Sequence, residues 1–154
     1  MELIWRWLCQ VAVAPYSYDL IDNRGRRSPR SLTPGADRLE LGQTMAMVFT
    51  LTSYDVPRQW TALTDARGQR LFGPCAMTYA AEPDGPGASR IVCRLAAAAG
   101  GVRTLRAHAL AWGDLVMMRK QLRTLRDLAE RDARTAGPDA PAPVPERARR
   151  PPDT

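Results

Sequence analysis

The sequence has few of the residues that carry most acid–base, nucleophilic and metal chemistry. Its 154 residues include one histidine and three cysteines. The histidine, His108, has no Gly-x-Ser-x-Gly nucleophile motif to act on, so we expect it to be structural. A glycine-rich phosphate-binding loop is also missing. The sequence therefore predicts a protein that is not an enzyme and that holds no cofactor.

The cysteines are too few and too scattered for a structural framework. Cys9, Cys75 and Cys93 share no short spacing, which fits neither a zinc site nor a disulfide-rich domain. Cys75 and Cys93 fall on neighbouring predicted strands and are the pair best placed for a disulfide. Burial as small apolar thiols is the simpler expectation for all three.

Long apolar runs are absent as well. The longest uncharged stretch is far shorter than the roughly 18 residues that a transmembrane helix needs. The apolar segment 1–14 resembles an export signal only in part. Glu2 stands where a basic residue is expected, and Arg6 and Gln10 interrupt the apolar run. We therefore expect no membrane partner and a cytoplasmic location when the protein is synthesised.

The residues that are present predict one mainly β domain. The hydrophobic fraction is 45%, which is enough for a packed core. Apolar residues alternate along 1–14, as in a half-buried strand. Turn signals separate further short strands, and 65–68 reads as a hairpin turn. The other strands are expected at 38–53, 60–64, 69–72, 75–80, 91–95 and 102–112. This spacing indicates a β-sandwich or small barrel over residues 1–113.

The hydrophobic period changes after residue 113. Gly113 is expected to end the last strand, and Asp114 to cap an amphipathic helix over 114–134. One face of this helix carries an apolar stripe, a candidate protein interface, which consists of Met118, Leu122, Leu125 and Ala129. The stripe either closes an open end of the same domain or meets another chain. The proline- and arginine-rich residues 135–154 are expected to form a flexible tail.

The formal charge of +6 is concentrated in arginine. All but one of the 22 basic residues are arginine, the exception being Lys120. The codon usage of a GC-rich genome accounts for this composition, and bidentate phosphate contacts are the alternative explanation. Two basic clusters are candidate polyanion-binding sites. They consist of Arg24, Arg26, Arg27 and Arg30 in a loop, and of Arg119, Lys120, Arg123 and Arg126 on the helix.

One stretch of the sequence resembles a known class of proteins. Gly42-Gln43-Thr44 is followed by the strand Val48–Thr52, by Trp60-Thr61-Ala62 and by the segment Asp65–Leu71. This order is similar to that of small β-sandwich proteins in the baseplates and virions of tailed bacteriophages, although Gln43 replaces their usual aspartate. The resemblance covers about a third of the chain. It implies a non-enzymatic assembly protein.

These observations favour a structural function. We expect a subunit of a larger homo- or hetero-oligomeric protein assembly, such as a capsid decoration, neck, tail or baseplate component of a bacteriophage virion. The alternative is a basic nucleic-acid-binding protein that uses the arginine-rich loop and the helix face. A small enzyme without a recognisable motif is the third hypothesis.

Overall fold

A computed structural model of the chain describes residues 1–18, 25–97 and 105–136. A turn of 3-10 helix at Gln10–Ala12 follows the first α-helix. In chain order the elements are α1 (Glu2–Cys9), β1 (Thr44–Met45), β2 (Phe49–Asp55), β3 (Gln59–Thr64), α2 (Ala66–Phe72), β4 (Cys75–Pro83), β5 (Ser89–Ala97) and α3 (Leu105–Ala136).

The strands form an antiparallel sheet in which each strand pairs with its neighbours in the sequence. The order is β1-β2-β3-β4-β5. A register shift between Leu51 and Ser53 of β2 is typical of a β-bulge, which increases the local twist of a sheet. The sheet curls into a half-barrel. The predicted mainly β fold with a C-terminal helix is confirmed. In the described ranges there is one sheet, and the second layer is helical, so the sandwich is not shown.

The core lies between the inner face of the sheet and the helices α1 and α3. Trp60 of β3 and Tyr79 of β4 are stacked there, with ring centroids 4.7 Å apart. The indole Nε1 of Trp60 donates a hydrogen bond of 3.2 Å to the carbonyl of Leu8 on α1. Leu125 of α3 is completely buried in the same core. Apolar burial and this directed hydrogen bond therefore help to hold the helices on the sheet.

The predicted N-terminal strand is wrong, because residues 2–9 form helix α1. Trp5, Trp7, Leu8 and Cys9 are all buried. The indole of Trp7 is oriented towards α3, where its Nε1 bonds Asp132, whereas the Leu8 carbonyl meets Trp60 of the sheet. A helix buried on two sides is apolar on most of its surface. The apolar residues in its sequence then fit the period of two of a strand as well as the period of 3.6 of a helix. The pattern alone therefore cannot distinguish a strand from a helix.

Two further segments also differ from the prediction. The strand expected at 102–112 is wrong, since α3 begins at Leu105 and includes Gly113 in its interior. The hairpin turn expected at 65–68 and the strand expected at 69–72 are also wrong, because Ala66–Phe72 form helix α2. Asp65 caps this helix, because its Oδ1 accepts a 2.7 Å hydrogen bond from the Gly68 amide. The predicted tail at 135–154 falls almost entirely outside the described residues, and the division into domains stays a prediction.

Candidate protein and polyanion interfaces

The apolar stripe of α3 is packed against the core of its own chain. Leu125 and Ala129 are buried. Leu122 is half-buried against the same core, and Met118 is half-buried. Leu122, Leu125 and Ala129, three of the four side chains proposed from the sequence as an interface, therefore already pack within the domain. A role in contact with another chain stays a prediction.

A buried glutamine, which the sequence analysis did not single out, fixes the position of α3. The side-chain oxygen of Gln121 accepts a hydrogen bond from the hydroxyl of Tyr79. Its Nε2 donates a 2.5 Å hydrogen bond to the carbonyl of Pro15. Gln121 is only 7% exposed, so both bonds lie in the protein interior. A polar residue next to an apolar helix stripe is the signal that could have indicated this contact.

Asp132 joins three segments at the C-terminal half of α3. Its Oδ2 accepts a 3.1 Å hydrogen bond from the indole Nε1 of Trp7. Its Oδ1 accepts bonds of 2.9 and 2.6 Å from Arg131. The same guanidinium donates to the backbone carbonyl of Arg30. The carboxylate therefore connects α1, α3 and, through Arg131, the loop before β1.

The basic loop and the basic face of α3 do not merge into one surface. Arg26, Arg27 and Arg30 are exposed, and Arg24 lies outside the described residues. The loop contacts α3 at Arg131, whereas the helix cluster is centred on Arg119, Lys120 and Arg123. A separation of 8 to 12 residues along a helix corresponds to about 12 to 18 Å. The two clusters thus present their charge at different places.

The four basic residues of the helix cluster differ in their pairing. Arg126 is bound to Asp127 at 2.7 Å and lies 3.7 Å from Glu130. The hydrogen bond to Asp127 and the charge of this carboxylate raise the pKa of Arg126. Arg119, Lys120 and Arg123 are exposed and form no ion pair within the described parts of the chain. These three cations are the ones available to an external anion.

The cysteines are placed for packing. Cys75 lies opposite Ala97 and Cys93 opposite Tyr79 on the β4–β5 ladder, so four positions separate them along the strands. Four positions correspond to about 13 Å, whereas the two Cα atoms of a disulfide lie within about 7 Å. Burial, and secondarily the charge of Asp37, raise the pKa of Cys9 to about 12. Such a thiol is a poor nucleophile at neutral pH.

Potential metal ligands do not converge in the described ranges. His108 lies in α3 and not in the strand that we predicted. Among residues 1–18, 25–97 and 105–136 there is no cluster of three or more potential metal ligands. None of the helices in these ranges combines the length and the apolar character that a bilayer crossing requires.

The outer face of the sheet, which the sequence analysis did not consider, carries a group of small or apolar uncharged side chains beside the charged residues Glu82, Arg90 and Arg94. We call this group the outer patch. The cross-strand pairs Thr50–Leu63, Leu63–Ala76, Thr61–Thr78, Ala76–Ala96 and Ala80–Val92 place its members on one side of the sheet. All of them are exposed or half-buried. The patch consists of Thr50, Thr61, Leu63, Ala76, Thr78, Ala80, Val92 and Ala96. The feature of the sequence that could have indicated this patch is the alternation of small, uncharged residues with buried residues along β4.

No family model, curated protein or solved structure matches this chain. The resemblance to bacteriophage baseplate and virion proteins therefore stays a prediction from the sequence.

Proposed function

We propose that this chain is a non-enzymatic subunit of a larger protein assembly and that it binds a neighbouring subunit through the outer patch. The composition of the patch carries the proposal. Eight uncharged side chains on four adjacent strands are exposed or half-buried, and Arg94, the charged residue opposite Thr78 on the same face, lies 3.7 Å from Glu82 of its own chain. The solvated face of an antiparallel sheet is usually polar, whereas the centres of protein interfaces are depleted in charge.

The hydroxyl groups in the patch are compatible with loss of water. Thr61 Oγ1 and Thr78 Oγ1 lie 2.8 Å apart and share a hydrogen bond across β3 and β4. Because the two hydroxyls already bond to each other, a partner that covers them leaves fewer polar atoms without a hydrogen bond than a partner that covers two isolated hydroxyls. The centre of the patch therefore favours contact with an apolar surface.

The partner that best fits this surface is another β-sheet. Threonine, valine and alanine on a pleated surface pack against a second sheet at about 10 Å. A second sheet on the outer patch would create the β-sandwich expected from the sequence, but between two chains. The helical layer on the inner face already closes the other side.

A bacteriophage particle is the assembly that the sequence resemblance implies. A capsid decoration, neck, tail or baseplate subunit is made in the host cytoplasm and is then incorporated into the virion. The basic pI of about 9.9 favours association with polyanionic surroundings but does not select among these positions.

The test measures the size of the complex in extracts of the cells that make the protein. A tagged chain of 17.0 kDa is expected to elute in a much larger complex with a second protein at fixed stoichiometry. This complex should persist at about 1 M salt, where surface charges are screened. Leu63→Glu places a charge in the patch between Thr50 and Ala76, with no basic residue opposite it. It should release the chain because an unpaired buried charge is costly.

Arg119→Glu is the matched control, since it adds negative charge to the exposed face of α3 on the opposite layer. It should leave the complex intact. Elution of the wild-type chain at its own mass would contradict the proposal, and so would a complex that survives Leu63→Glu in a folded variant.

A second candidate function, polyanion binding, is favoured by the three unpaired cations of α3. Arg119, Lys120 and Arg123 are exposed within five residues and have no carboxylate partner in the described ranges. Phosphate groups could take the place of such partners, as in nonspecific binding of nucleic acid.

Titration with a random DNA duplex tests this second function. Binding should weaken steeply with salt, and Arg119→Glu together with Arg123→Glu should abolish it while Leu63→Glu does not. Absence of binding at low salt would exclude it. The two sets of variants therefore separate the protein contact from the polyanion contact.

A further inference from the structure

One carboxylate borders the outer patch on the side of β2. Asp55 pairs with Gln59 on β3, two positions from Thr61 of the patch, so it lies on the outer face. It is exposed and forms no ion pair within the described parts of the chain. Arg58, in the same turn, is one position out of step with Gln59 and so belongs to the inner face. The β2 side of the patch is therefore acidic.

Two guanidinium groups border the patch on the opposite side, on β5. Arg90 binds the carboxylate of Glu82 at 2.7 Å, and Arg94 lies 3.7 Å from the other oxygen of this carboxylate. The side chains of both arginines are mostly exposed, at 58% and 77%. One carboxylate neutralises only one of the two cations. The β5 side of the patch is therefore basic.

The centre of the outer face has a ridge along β3 beside a groove along β4. Leu63 on β3 is opposite Ala76 on β4, and Gln59 is opposite Ala80. In both pairs the residue on β3 has the longer side chain, and Leu63 is 46% exposed. Large side chains that face small ones interdigitate when two layers pack. This surface is therefore complementary to a copy of itself that is turned so that ridge meets groove.

We propose that the outer patch binds the outer patch of a second copy of this chain, with the two-fold axis parallel to the strands and between β3 and β4. The proposal rests on the function proposed above, since it identifies the neighbouring subunit at the patch as a second copy. A two-fold contact uses the same surface on both chains, which must be complementary to itself. The opposite charges on the two sides of the patch meet this condition.

This axis places β3 of each copy over β4 of the other. Leu63 then lies over Ala76 of the second copy, so each ridge enters a groove. Thr61 lies over Thr78 of the second copy, and their hydroxyls already share hydrogen bonds within each chain. Because the sheet is curled, its outer face is convex, and the two copies come closest along these two strands. The centre of the contact is thus uncharged and packed.

The same axis brings β2 of each copy over β5 of the other. Asp55 is in the same cross-strand row as Val92, so it lies over Val92 of the second copy. Arg90 and Arg94 are two positions to either side of Val92 and share its face. The carboxylate therefore approaches between two guanidinium groups, whose long side chains span the wider gap at the border of a convex face. The two-fold axis forms this contact twice.

The charges disfavour the other symmetric arrangement of two sheets packed face to face. An axis perpendicular to the strands would place each strand over the same strand of the second copy. Ridge would then meet ridge along β3, and the arginines of β5 would meet each other. Like charges that are juxtaposed across an interface oppose association. The axis parallel to the strands is therefore the one that the surface favours.

Charge reversal at Asp55 tests the contact in the purified chain. Asp55→Arg places a third cation beside Arg90 and Arg94 of the second copy, twice per dimer. The dimer dissociation constant should rise about tenfold or more at low salt, and the effect should shrink at about 1 M salt, where charges are screened. Asp127→Arg makes the same change of charge on α3, in the helical layer, and should leave the constant unchanged. Analytical ultracentrifugation over a range of concentrations measures it, and circular dichroism establishes that each variant is folded.

A mixture of two variants provides a more specific test. Arg94→Glu should also weaken the dimer, because it removes a cation from beside Asp55 of the second copy. Mixed with Asp55→Arg, it should form a heterodimer that is about tenfold or more tighter than the homodimer of either variant. In this heterodimer the introduced arginine meets the introduced glutamate on one side, and the native pair of Asp55 and Arg94 is kept on the other. This result requires that the two positions meet between copies.

The outcomes distinguish this contact from the function on which it rests. A wild-type chain that remains at 17.0 kDa at every concentration overturns the homodimer. A dimer that responds neither to Asp55→Arg nor to the mixture of variants forms through another surface and also overturns the proposal. The complex in cell extracts and its response to Leu63→Glu are measured separately. A patch that binds a different protein there would therefore support the proposed function while it overturns the second copy as the partner.

Discussion

Gln121 and Tyr79 form a buried hydrogen bond that connects α3 with the centre of the sheet. The same glutamine also bonds the carbonyl of Pro15. A leucine at position 121 would fill the space but would leave the Tyr79 hydroxyl and that carbonyl without their partner. The pair therefore determines how precisely α3 lies on the core.

We expect Gln121→Leu to lower the free energy of unfolding by about 2 to 4 kcal/mol, because two buried polar groups lose a bond. Tyr79→Phe should cost about 1 to 2 kcal/mol, since only the glutamine oxygen is affected. The double variant should cost less than the sum. Urea unfolding measures all three. Strict additivity would show that the two side chains do not interact.

Asp132→Ala should destabilise the chain by about 1 to 3 kcal/mol. The substitution removes the acceptor of the Trp7 indole, which then remains unsatisfied in a largely buried position. Asp127→Ala is the control, because Asp127 pairs with Arg126 on the surface, where such pairs contribute little. Equal melting temperatures for the two variants would contradict the role assigned to Asp132.

Gly68→Ala should be destabilising, although alanine normally stabilises a helix by about 1 kcal/mol relative to glycine. A Cβ at this position would lie 2.6 Å from the carbonyl oxygen of Val48. The same oxygen accepts a 2.9 Å hydrogen bond from Asp65, so it cannot move away without loss. We expect a net cost of about 1 to 3 kcal/mol. Arg67→Ala, one residue earlier and exposed, should have no cost; a more stable Gly68→Ala variant would refute the close contact.

Alkaline pH should destabilise the fold through Cys9. Its pKa is about 12 in the folded chain and is raised mainly by burial, whereas an unfolded thiol ionises near 8.5. The folded state therefore holds the proton more tightly. Its stability contribution is complete below the unfolded pKa and is lost as the pH rises towards 12, at up to about 1.4 kcal/mol per pH unit.

The measurement compares urea unfolding of the wild-type chain and Cys9→Ala between neutral pH and about pH 10.5. The difference in stability between them should shrink as the pH rises, because the alanine variant lacks this proton. A difference that stays constant over this range would show that Cys9 has the same pKa in both states.

The central strands could be predicted from the sequence because their two faces differ. In β4, Cys75, Met77 and Tyr79 are buried and the residues between them are half-buried, so period two is clear. The same rule failed at α1, where Trp7 meets helix α3 on one side and the Leu8 carbonyl meets the sheet on the other. It also failed at 105–112. The alanines that alternate there do not show which face of the segment is buried, and alanine itself favours a helix.

The interaction surfaces were harder to predict because they depend on neighbours in space. The cluster of Arg119, Lys120 and Arg123 could be read from the helix, but the pairing of Arg126 with Asp127 required the structure. The outer patch is assembled from four strands, so no single segment reveals it. Its members became visible only through the cross-strand register.

The contact between Trp7 and Asp132 spans 125 positions of the chain. The sheet can form hairpin by hairpin as it is synthesised, since its strands are neighbours in sequence. The first helix, in contrast, acquires its full surroundings only after almost all of α3 has left the ribosome. Until then the tryptophans at the N-terminus and the inner face of the sheet remain open to chaperones, and completion of the core is a late event in the synthesis of each molecule.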